Sequence, residues 1–236
     1  MKHFMNSQKL PRVMLALSLA AYTLRRFYYS AAMDHKNLLV SHPAGWALGA
    51  VTVAAILLVA VSVLRWNREP LQPLWPYLGD LPCYFMAAGT ASVVLDGGFS
   101  MTGLLLVRNV LALVSAASLA AIPMLKKKGK AVPFFFYGVL CLFFAVHMVS
   151  SYQGWSSNPQ IQDYLYSLLG GVGLMLYSYQ KTAAAVGFRK EKWLMFLGLL
   201  TSFFCFVSLS DTSFPVLYLC GGYWALTDLP QTLSGE

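Results

Sequence analysis

The chain has 236 residues, of which 58% are hydrophobic and 11% are charged, and its formal net charge is +8. With a mean hydropathy of +0.59, it has too little polar surface to cover a water-soluble globule, and this excludes that class. The basic residues lie in short loops beside apolar segments, which is typical of membrane topology signals rather than of nucleic-acid binding.

Eight apolar segments of roughly 15 to 25 residues follow one another along the chain, which is the length that a helix needs to cross a bilayer. They predict an all-α, polytopic membrane protein with eight transmembrane helices. The predicted spans are residues 11–32, 43–64, 74–95, 100–124, 132–152, 162–181, 193–210 and 213–229.

The first and last spans are the least certain to be transmembrane helices. The uninterrupted apolar part of the first span runs only from Val13 to Leu24, and a cleaved signal peptide is the alternative interpretation of this segment. Arg25 and Arg26 follow it directly without a small-residue cleavage site, which favours a retained helix. The last span is short and contains Pro215. If it did not cross, seven helices would remain and the C-terminus would lie outside.

The positions of the basic residues predict the orientation in the membrane. With the N-terminus in the cytoplasm, only Lys36 falls in an outer loop, while Arg25, Arg26 and Arg108 lie inside or at the rim of helices. Both termini are therefore expected to be cytoplasmic, in a plasma membrane. The residues placed on the inner side are Lys2, Lys9, Arg12, Arg65, Arg68, Lys126, Lys127, Lys128, Lys130, Lys181, Arg189, Lys190 and Lys192.

The two halves of the chain resemble each other. Residues 96–99 (Asp-Gly-Gly-Phe) open the fourth span and residues 211–214 (Asp-Thr-Ser-Phe) open the eighth. This predicts two parallel four-helix repeats, residues 1–125 and 126–236, with a ligand site between them. Chance similarity between apolar helices is the alternative.

Small residues mark the second and sixth spans as helices that neighbours can approach closely. Such helices could pack within the bundle or between protomers, so the sequence leaves the oligomeric state open. The residues are Gly45, Gly49, Gly170, Gly171 and Gly173.

Several kinds of chemistry have no motif in this chain. It contains no H-E-x-x-H, G-x-S-x-G or P-loop sequence, and no Cys/His spacing typical of a metal site. No metal and no cofactor are therefore predicted. The four cysteines lie inside apolar segments and are expected to be core thiols: Cys83, Cys141, Cys205 and Cys220.

Ionisable groups within the membrane are the best functional clues, because each costs several kcal/mol unless it is paired or hydrated. Arg108, with Asn109 beside it, lies about eight residues into the fourth span, roughly 12 Å below the outer surface. Asp96 and Asp211 are the nearest acidic residues on that side and the preferred partners. A structural ion pair, or an arginine that reaches the outer rim, is the alternative.

His147 is the one histidine predicted in the middle of a span. It either forms a hydrogen bond to a neighbouring helix or acts as an acid, base or proton relay. Asp80 and Asp228 fall near inner helix ends and are interpreted as interfacial anchors or caps. The candidate ligand-binding residues are Arg108, Asn109, Asp96, Asp211, Arg25 and His147.

Three segments, at 155–164, 168–176 and 217–226, resemble a family of multi-pass proteins of Clostridia-type bacteria. The first reads Trp-Ser-Ser-Asn-Pro-Gln-Ile-Gln-Asp-Tyr. This resemblance implies a bacterial plasma-membrane location. It implies no activity.

The chain is also similar to the eight-helix lysoplasmalogenase family in having Gly79-Asp80, His147 and Ser210-Asp211. This likeness implies Asp80, His147 and Asp211 as catalytic residues. The spacing departs from that family, because one additional helix separates Asp80 from His147.

Two classes of function therefore remain. The first is non-enzymatic binding, sensing or transport of a small or amphiphilic ligand between the two repeats, with membrane lipid as the surrounding partner. The second is hydrolysis of a lipid head-group linkage by Asp80, His147 and Asp211, which requires all three residues around one water molecule. The predicted topology separates Asp80 from Asp211 across the membrane, which favours the first class.

Overall fold

The computed structural model describes residues 9–32, 42–66, 71, 79–96, 103–155, 164–188, 190–210 and 212–234, and this part of the chain is all-helical. The eight helices are α1 (Leu10–Ala32), α2 (Pro43–Arg65), α3 (Leu81–Asp96), α4 (Gly103–Lys127), α5 (Phe134–Trp155), α6 (Leu165–Ala185), α7 (Glu191–Ser208) and α8 (Pro215–Ser234).

The prediction of eight helices in the all-α class is confirmed, and most bounds agree within a few residues. The largest difference is at α3, which begins at Leu81 where residue 74 was predicted. Gly79 precedes it with a φ of +43°, a conformation that suits glycine, and Pro82 occupies the first turn, where its missing N–H costs nothing. At the other end of the chain, α8 continues past the predicted residue 229 to Ser234.

Four helices in the described part of the chain are long and apolar enough to cross a membrane: α2, α4, α5 over Phe134–Gln153, and α7. The prediction is thus confirmed for a helical protein with several membrane-type helices, and the eight crossings stay a prediction. Helix α3 has 16 residues, while α1, α6 and α8 contain charged residues at Arg25, Lys181 and Asp228.

Large apolar side chains cover much of the outside of the bundle. On α2 they include Trp46, which is 80% exposed, Val53, Leu57 and Leu64. A soluble monomer rarely presents such a continuous apolar surface to water. These side chains are suited to contact lipid.

Consecutive helices run antiparallel. Tyr28 of α1 meets Gly45 of α2, and Met148 of α5 meets Gly171 of α6, while Lys127 of α4 reaches Asp80 beside α3. The C-terminal ends of odd-numbered helices and the N-terminal ends of even-numbered helices therefore share one end of the bundle. We call it the Arg108 end, because Arg108 lies near the start of α4, and we call the opposite end the Lys181 end, because Lys181 lies near the end of α6.

Helix α7 packs against α1, α2, α6 and α8, and α3 packs against α4 and α8. The core contains large side chains that are fully buried, including Trp224, Tyr177, Phe143 and Phe203. All four cysteines are free thiols, and Cys83, Cys205 and Cys220 are buried, which agrees with their prediction as core residues.

Glycines let α6 lie very close to α5, α7 and α8. A Cβ atom at Gly170 would be 3.1 Å from the ring of Tyr218, and one at Gly173 would be 2.7 Å from Oγ1 of Thr201. The close approach predicted for α6 is confirmed within the chain. On α2, in contrast, a Cβ atom at Gly49 would meet nothing within 4 Å.

We expect Gly89→Ala to destabilise the bundle, because its Cβ would lie 2.6 Å from the Cβ of Cys220 on α8. Overpacking of this kind costs about 1–3 kcal/mol of unfolding free energy. Gly49→Ala is the matched control, since its Cβ meets nothing, and it should leave stability unchanged or raise it by up to about 1 kcal/mol, because alanine is the better helix former. The melting temperature in detergent, followed by tryptophan fluorescence, measures both. Equal melting temperatures would contradict the close contact between α3 and α8.

Candidate functional site

Helix α4 brings Arg108 into the bundle because of its helical spacing. Arg108, Ala112, Ser115 and Leu119 recur every three or four residues and are all buried, so they form one inward face. Arg108 lies in the second turn of α4 and is only 4% exposed. It therefore neither points to lipid nor reaches the surface.

The guanidinium of Arg108 meets one amide oxygen and one aromatic ring in the described part of the chain. Its Nε and Nη2 donate to Oδ1 of Asn109 over 3.4 and 3.2 Å, and its Cζ lies 5.5 Å from the ring centre of Phe214. A guanidinium carries five N–H donors and one positive charge. The amide oxygen of Asn109 accepts from only two of these nitrogens, so the other N–H donors and the positive charge are available to a further acceptor.

His147 of α5 also contacts Phe214. Its imidazole stacks on Phe143 at 5.6 Å and meets Phe214 edge-on at 4.9 Å, measured between ring centres. It is 1% exposed, and neither ring nitrogen has a hydrogen-bond partner among the residues that the structure describes. Since buried polar groups are nearly always hydrogen-bonded, this histidine is either maintained at a cost or completed by a ligand.

The structure thus brings together three of the candidate residues, Arg108, Asn109 and His147, around Phe214 of the turn before α8. Arg108 lies within electrostatic range of His147. Of the two preferred acidic partners, Asp96 is exposed at the end of α3 and is not among the described contacts of Arg108. Asp211, three residues before Phe214, lies outside the described residues.

Arg25 belongs to a second cluster at the Arg108 end, between α1, α2 and α6. Its guanidinium lies 4.2 Å from the ring centre of Tyr166 and donates to the hydroxyl of Tyr29 over 3.1 Å. The Tyr166 hydroxyl is 2.7 Å from Oγ1 of Thr52. Arg25 is therefore a contact that joins three helices, apart from the cluster around Phe214.

The catalytic residues of the alternative hydrolase are not brought together in the described chain. Asp80 lies at the Lys181 end, where its carboxylate is 3.8 Å from Nζ of Lys127, whereas His147 lies near the Arg108 end. No group of three or more potential metal ligands is found among the described residues.

A buried ion pair was missed from the sequence. Nζ of Lys181 on α6 is 2.6 Å from Oδ2 of Asp228 on α8, and the hydroxyl of Tyr177 donates to the same oxygen over 3.0 Å. The two charged side chains are only 6% and 3% exposed. The interpretation of Asp228 as an interfacial anchor or cap was wrong, and Lys181, predicted at the inner end of the sixth span, is instead buried inside α6, which continues to Ala185.

A signal for this pair was present in the helix spacing. Tyr177 and Lys181 are four residues apart on α6, and Trp224 and Asp228 are four apart on α8, so each helix presents an aromatic and a charged residue on one face. The sequence alone does not show that these faces meet. Where two such faces meet and bury an ion pair, removal of one of its charges lowers the free energy of unfolding by about 3–5 kcal/mol.

The chain matches no protein-family model, no curated protein and no solved structure. The assignment of function therefore depends on the contacts described above.

We expect His147→Phe to raise the free energy of unfolding by about 1 kcal/mol, because it removes two buried nitrogens without partners and keeps the ring between Phe143 and Phe214. The matched control is Tyr218→Phe, which removes a hydroxyl that donates to the Ser167 carbonyl over 2.8 Å and should lower it by a similar amount. Melting temperatures in detergent measure both. Equal destabilisation by the two changes would show that the imidazole is hydrogen-bonded in the free protein.

Proposed function

We propose that this protein is a multi-pass membrane protein that binds, and thereby senses or moves, a monovalent anionic amphiphile at the cluster of Arg108, Asn109 and His147. The observation that carries the proposal is the buried Arg108 guanidinium beside an imidazole whose two nitrogens have no hydrogen-bond partner in the described part of the chain. In the described contacts the guanidinium has no anionic partner, and the imidazole has ring contacts but no hydrogen bond. Both would be satisfied by an anion.

The chemistry of the cluster indicates the ligand class. A guanidinium binds the two oxygens of a carboxylate or phosphate through parallel hydrogen bonds. The neutral imidazole has one donor and one acceptor for the same head group. Phe143 and Phe214 supply apolar surface for an attached hydrocarbon chain. A single-chain carboxylate, such as octanoate, has both parts.

The position of the cluster supports the predicted division of the chain. Arg108 comes from α4 in the first half, and His147 and Phe214 come from the second half. A site between the two halves is expected for parallel repeats. The duplication itself stays a prediction.

All eight helices cross the membrane in this proposal, including α1, α6 and α8. Their charged residues Arg25, Lys181 and Asp228 are buried against other helices rather than directed to lipid, which is the arrangement that a bilayer requires. The protein is assigned to a bacterial plasma membrane, in keeping with the resemblance to membrane proteins of Clostridia-type bacteria.

The Lys181 end is assigned to the cytoplasm because the basic residues gather there, as the positive-inside rule requires. In a variant whose four native cysteines are replaced by serine, Ser30→Cys at the Arg108 end should react with a membrane-impermeant maleimide in intact cells. Lys128→Cys should react only after the cells are lysed. Both positions are exposed. The reverse pattern would invert the orientation, and the binding site would then face the cytoplasm.

Binding of radiolabelled octanoate to the protein in lipid nanodiscs tests the function. We expect Arg108→Gln to weaken binding at this site about 10- to 100-fold, because a hydrogen bond to a charged group is worth about 1.5–3 kcal/mol. Octylammonium should not compete for the site, since its charge is opposite.

Arg26→Gln is the matched control, since Arg26 is an exposed arginine at the same end of the bundle. It should bind octanoate like the unmodified protein. Equal affinities of Arg108→Gln and Arg26→Gln, at equal melting temperatures, would rule out the Arg108 cluster as the site.

A further inference from the structure

The turn between α4 and α5 is the most basic short segment of the chain. Residues 126–130 read Lys-Lys-Lys-Gly-Lys, which places four ammonium groups within five residues. The turn joins two helices that are each long and apolar enough to cross a membrane. When such a helical hairpin crosses a bilayer, its turn lies where the hydrocarbon ends and the head groups begin. The lysines are then at the level of the lipid phosphates.

Backbone hydrogen bonds hold these lysines together around the end of α4. The N–H of Lys130 donates to the carbonyl of Leu125 over 3.0 Å, and the N–H of Gly129 donates to the carbonyl of Lys126 over 2.9 Å. These two bonds form the Schellman arrangement that ends a helix, and Gly129 has the positive φ, +64°, that it requires. The chain therefore turns back at Gly129, and Lys130 stays close to the last turn of α4.

The described part of the protein compensates little of this charge. Nζ of Lys127 is 3.8 Å from Oδ2 of Asp80, but the Lys127 side chain is 71% exposed, so water weakens the pair. Lys128 and Lys130 are exposed, and neither has an ion-pair partner among the described residues. The helix dipole favours Lys126 and Lys127 in the last turn of α4, whereas Lys130 lies beyond the helix. The gathered charges repel one another, and a bound anion would relieve this repulsion.

Exposed apolar side chains flank the same turn. Met124, in the last turns of α4, is 59% exposed, and Phe134 and Phe135, in the first turn of α5, are 56% and 51% exposed. The ring of Phe135 meets that of Phe136 edge-on, with ring centres 4.7 Å apart. Exposed aromatic side chains at a helix end are suited to the boundary between head groups and hydrocarbon. They provide apolar contacts for the acyl chains of a lipid whose phosphate lies among the lysines.

The turn between α6 and α7, at the same end of the bundle, carries basic residues in a different arrangement. Glu191 stands between Lys190 and Lys192 in the sequence, and Nζ of Lys192 donates to the carbonyl of Leu64 over 3.4 Å. Basic residues of this kind satisfy the positive-inside rule without a dense cluster of charge. Orientation in the membrane therefore does not require the concentration of charge at residues 126–130.

We propose that the α4–α5 turn binds the phosphate of an anionic phospholipid, such as phosphatidylglycerol, through Lys127, Lys128 and Lys130. The acyl chains lie along Phe134 and Phe135. A phosphodiester carries one negative charge and accepts hydrogen bonds from ammonium groups, and a basic cluster beside a membrane helix attracts anionic lipid. The exposed phenylalanines favour a lipid over a free phosphate ion. This inference requires only that α4 and α5 cross the membrane, and it does not depend on the octanoate site.

Native mass spectrometry of the full chain in a neutral detergent measures the affinity for each lipid. We expect phosphatidylglycerol to bind about 10- to 100-fold more tightly than phosphatidylcholine, whose head group has no net charge, because each lysine near an anionic surface contributes about fivefold. The preference should fall to within a few-fold of unity in Lys127→Gln/Lys128→Gln/Lys130→Gln. It should persist in Lys127→Arg/Lys128→Arg/Lys130→Arg, which keeps the charges.

The matched control is Arg65→Gln/Lys190→Gln/Lys192→Gln, which removes three exposed charges from the same end of the bundle. It should keep the preference for phosphatidylglycerol. Equal loss of the preference in the two glutamine variants would mean that the charge of the whole end attracts lipid, and would overturn the proposal. Equal binding of the two lipids by the unmodified protein would overturn it as well.

Inorganic phosphate separates a lipid site from a phosphate-ion site, and this measurement uses the unmodified protein. Phosphate should release bound radiolabelled phosphatidylglycerol only in about 100-fold excess or more, because it lacks the acyl chains that contact Phe134 and Phe135. Release at equal concentrations would overturn the assignment to a lipid.

The lipid site and the octanoate site can fail separately. Arg108→Gln should keep the preference for phosphatidylglycerol, because Arg108 lies at the opposite end of the bundle. The glutamine variant of the α4–α5 turn should bind octanoate like the unmodified protein. Loss of the lipid preference in Arg108→Gln would overturn the assignment of the lipid to the turn.

Discussion

The close parallel contact between α6 and α8 is the interaction on which both ends of the bundle depend. A Cβ atom at Gly221 of α8 would be 2.8 Å from Cδ1 of Leu174 on α6, so a larger residue there would force the Leu174 side chain to move. At one end this contact brings Lys181 to Asp228. At the other it holds the start of α8, and with it Phe214, against the cluster that contains Arg108. A shift of α8 along α6 would therefore change the contacts of both clusters together.

Both clusters share a feature that packing does not explain. Within the described part of the chain, the imidazole nitrogens of His147 have no hydrogen-bond partner at one end, and the indole N–H of Trp224, whose ring packs on Tyr177, has none toward the other. Apolar residues of similar shape would avoid these costs, since a buried charged or polar group rarely adds net stability. In a bilayer the costs are greater than in water.

Much of the helical architecture could be predicted from the sequence, and only part of the candidate sites could. Arg108 and His147 stood out because a charged residue and a histidine interrupt long apolar segments. Lys181 and Asp228 did not, because each lies near a predicted helix end, where a charge normally reaches water. Both residues are buried because α5, α6 and α8 pack together around them. The partner chosen for Arg108 was a carboxylate by charge alone, and the described contacts are to Asn109 and Phe214.

The amino-acid sequence by itself determined the class of the protein, the number and order of its helices and the end of the bundle at which its basic residues gather. These follow from local composition, because a helix that crosses lipid must be apolar over a set length and its flanking charges must stay in water. Only the tertiary structure decided which helices are neighbours, and hence which polar groups meet. That choice depends on the close approach at glycines such as Gly89, Gly170 and Gly221, whose partners are distant in the chain and leave no periodic signal in it.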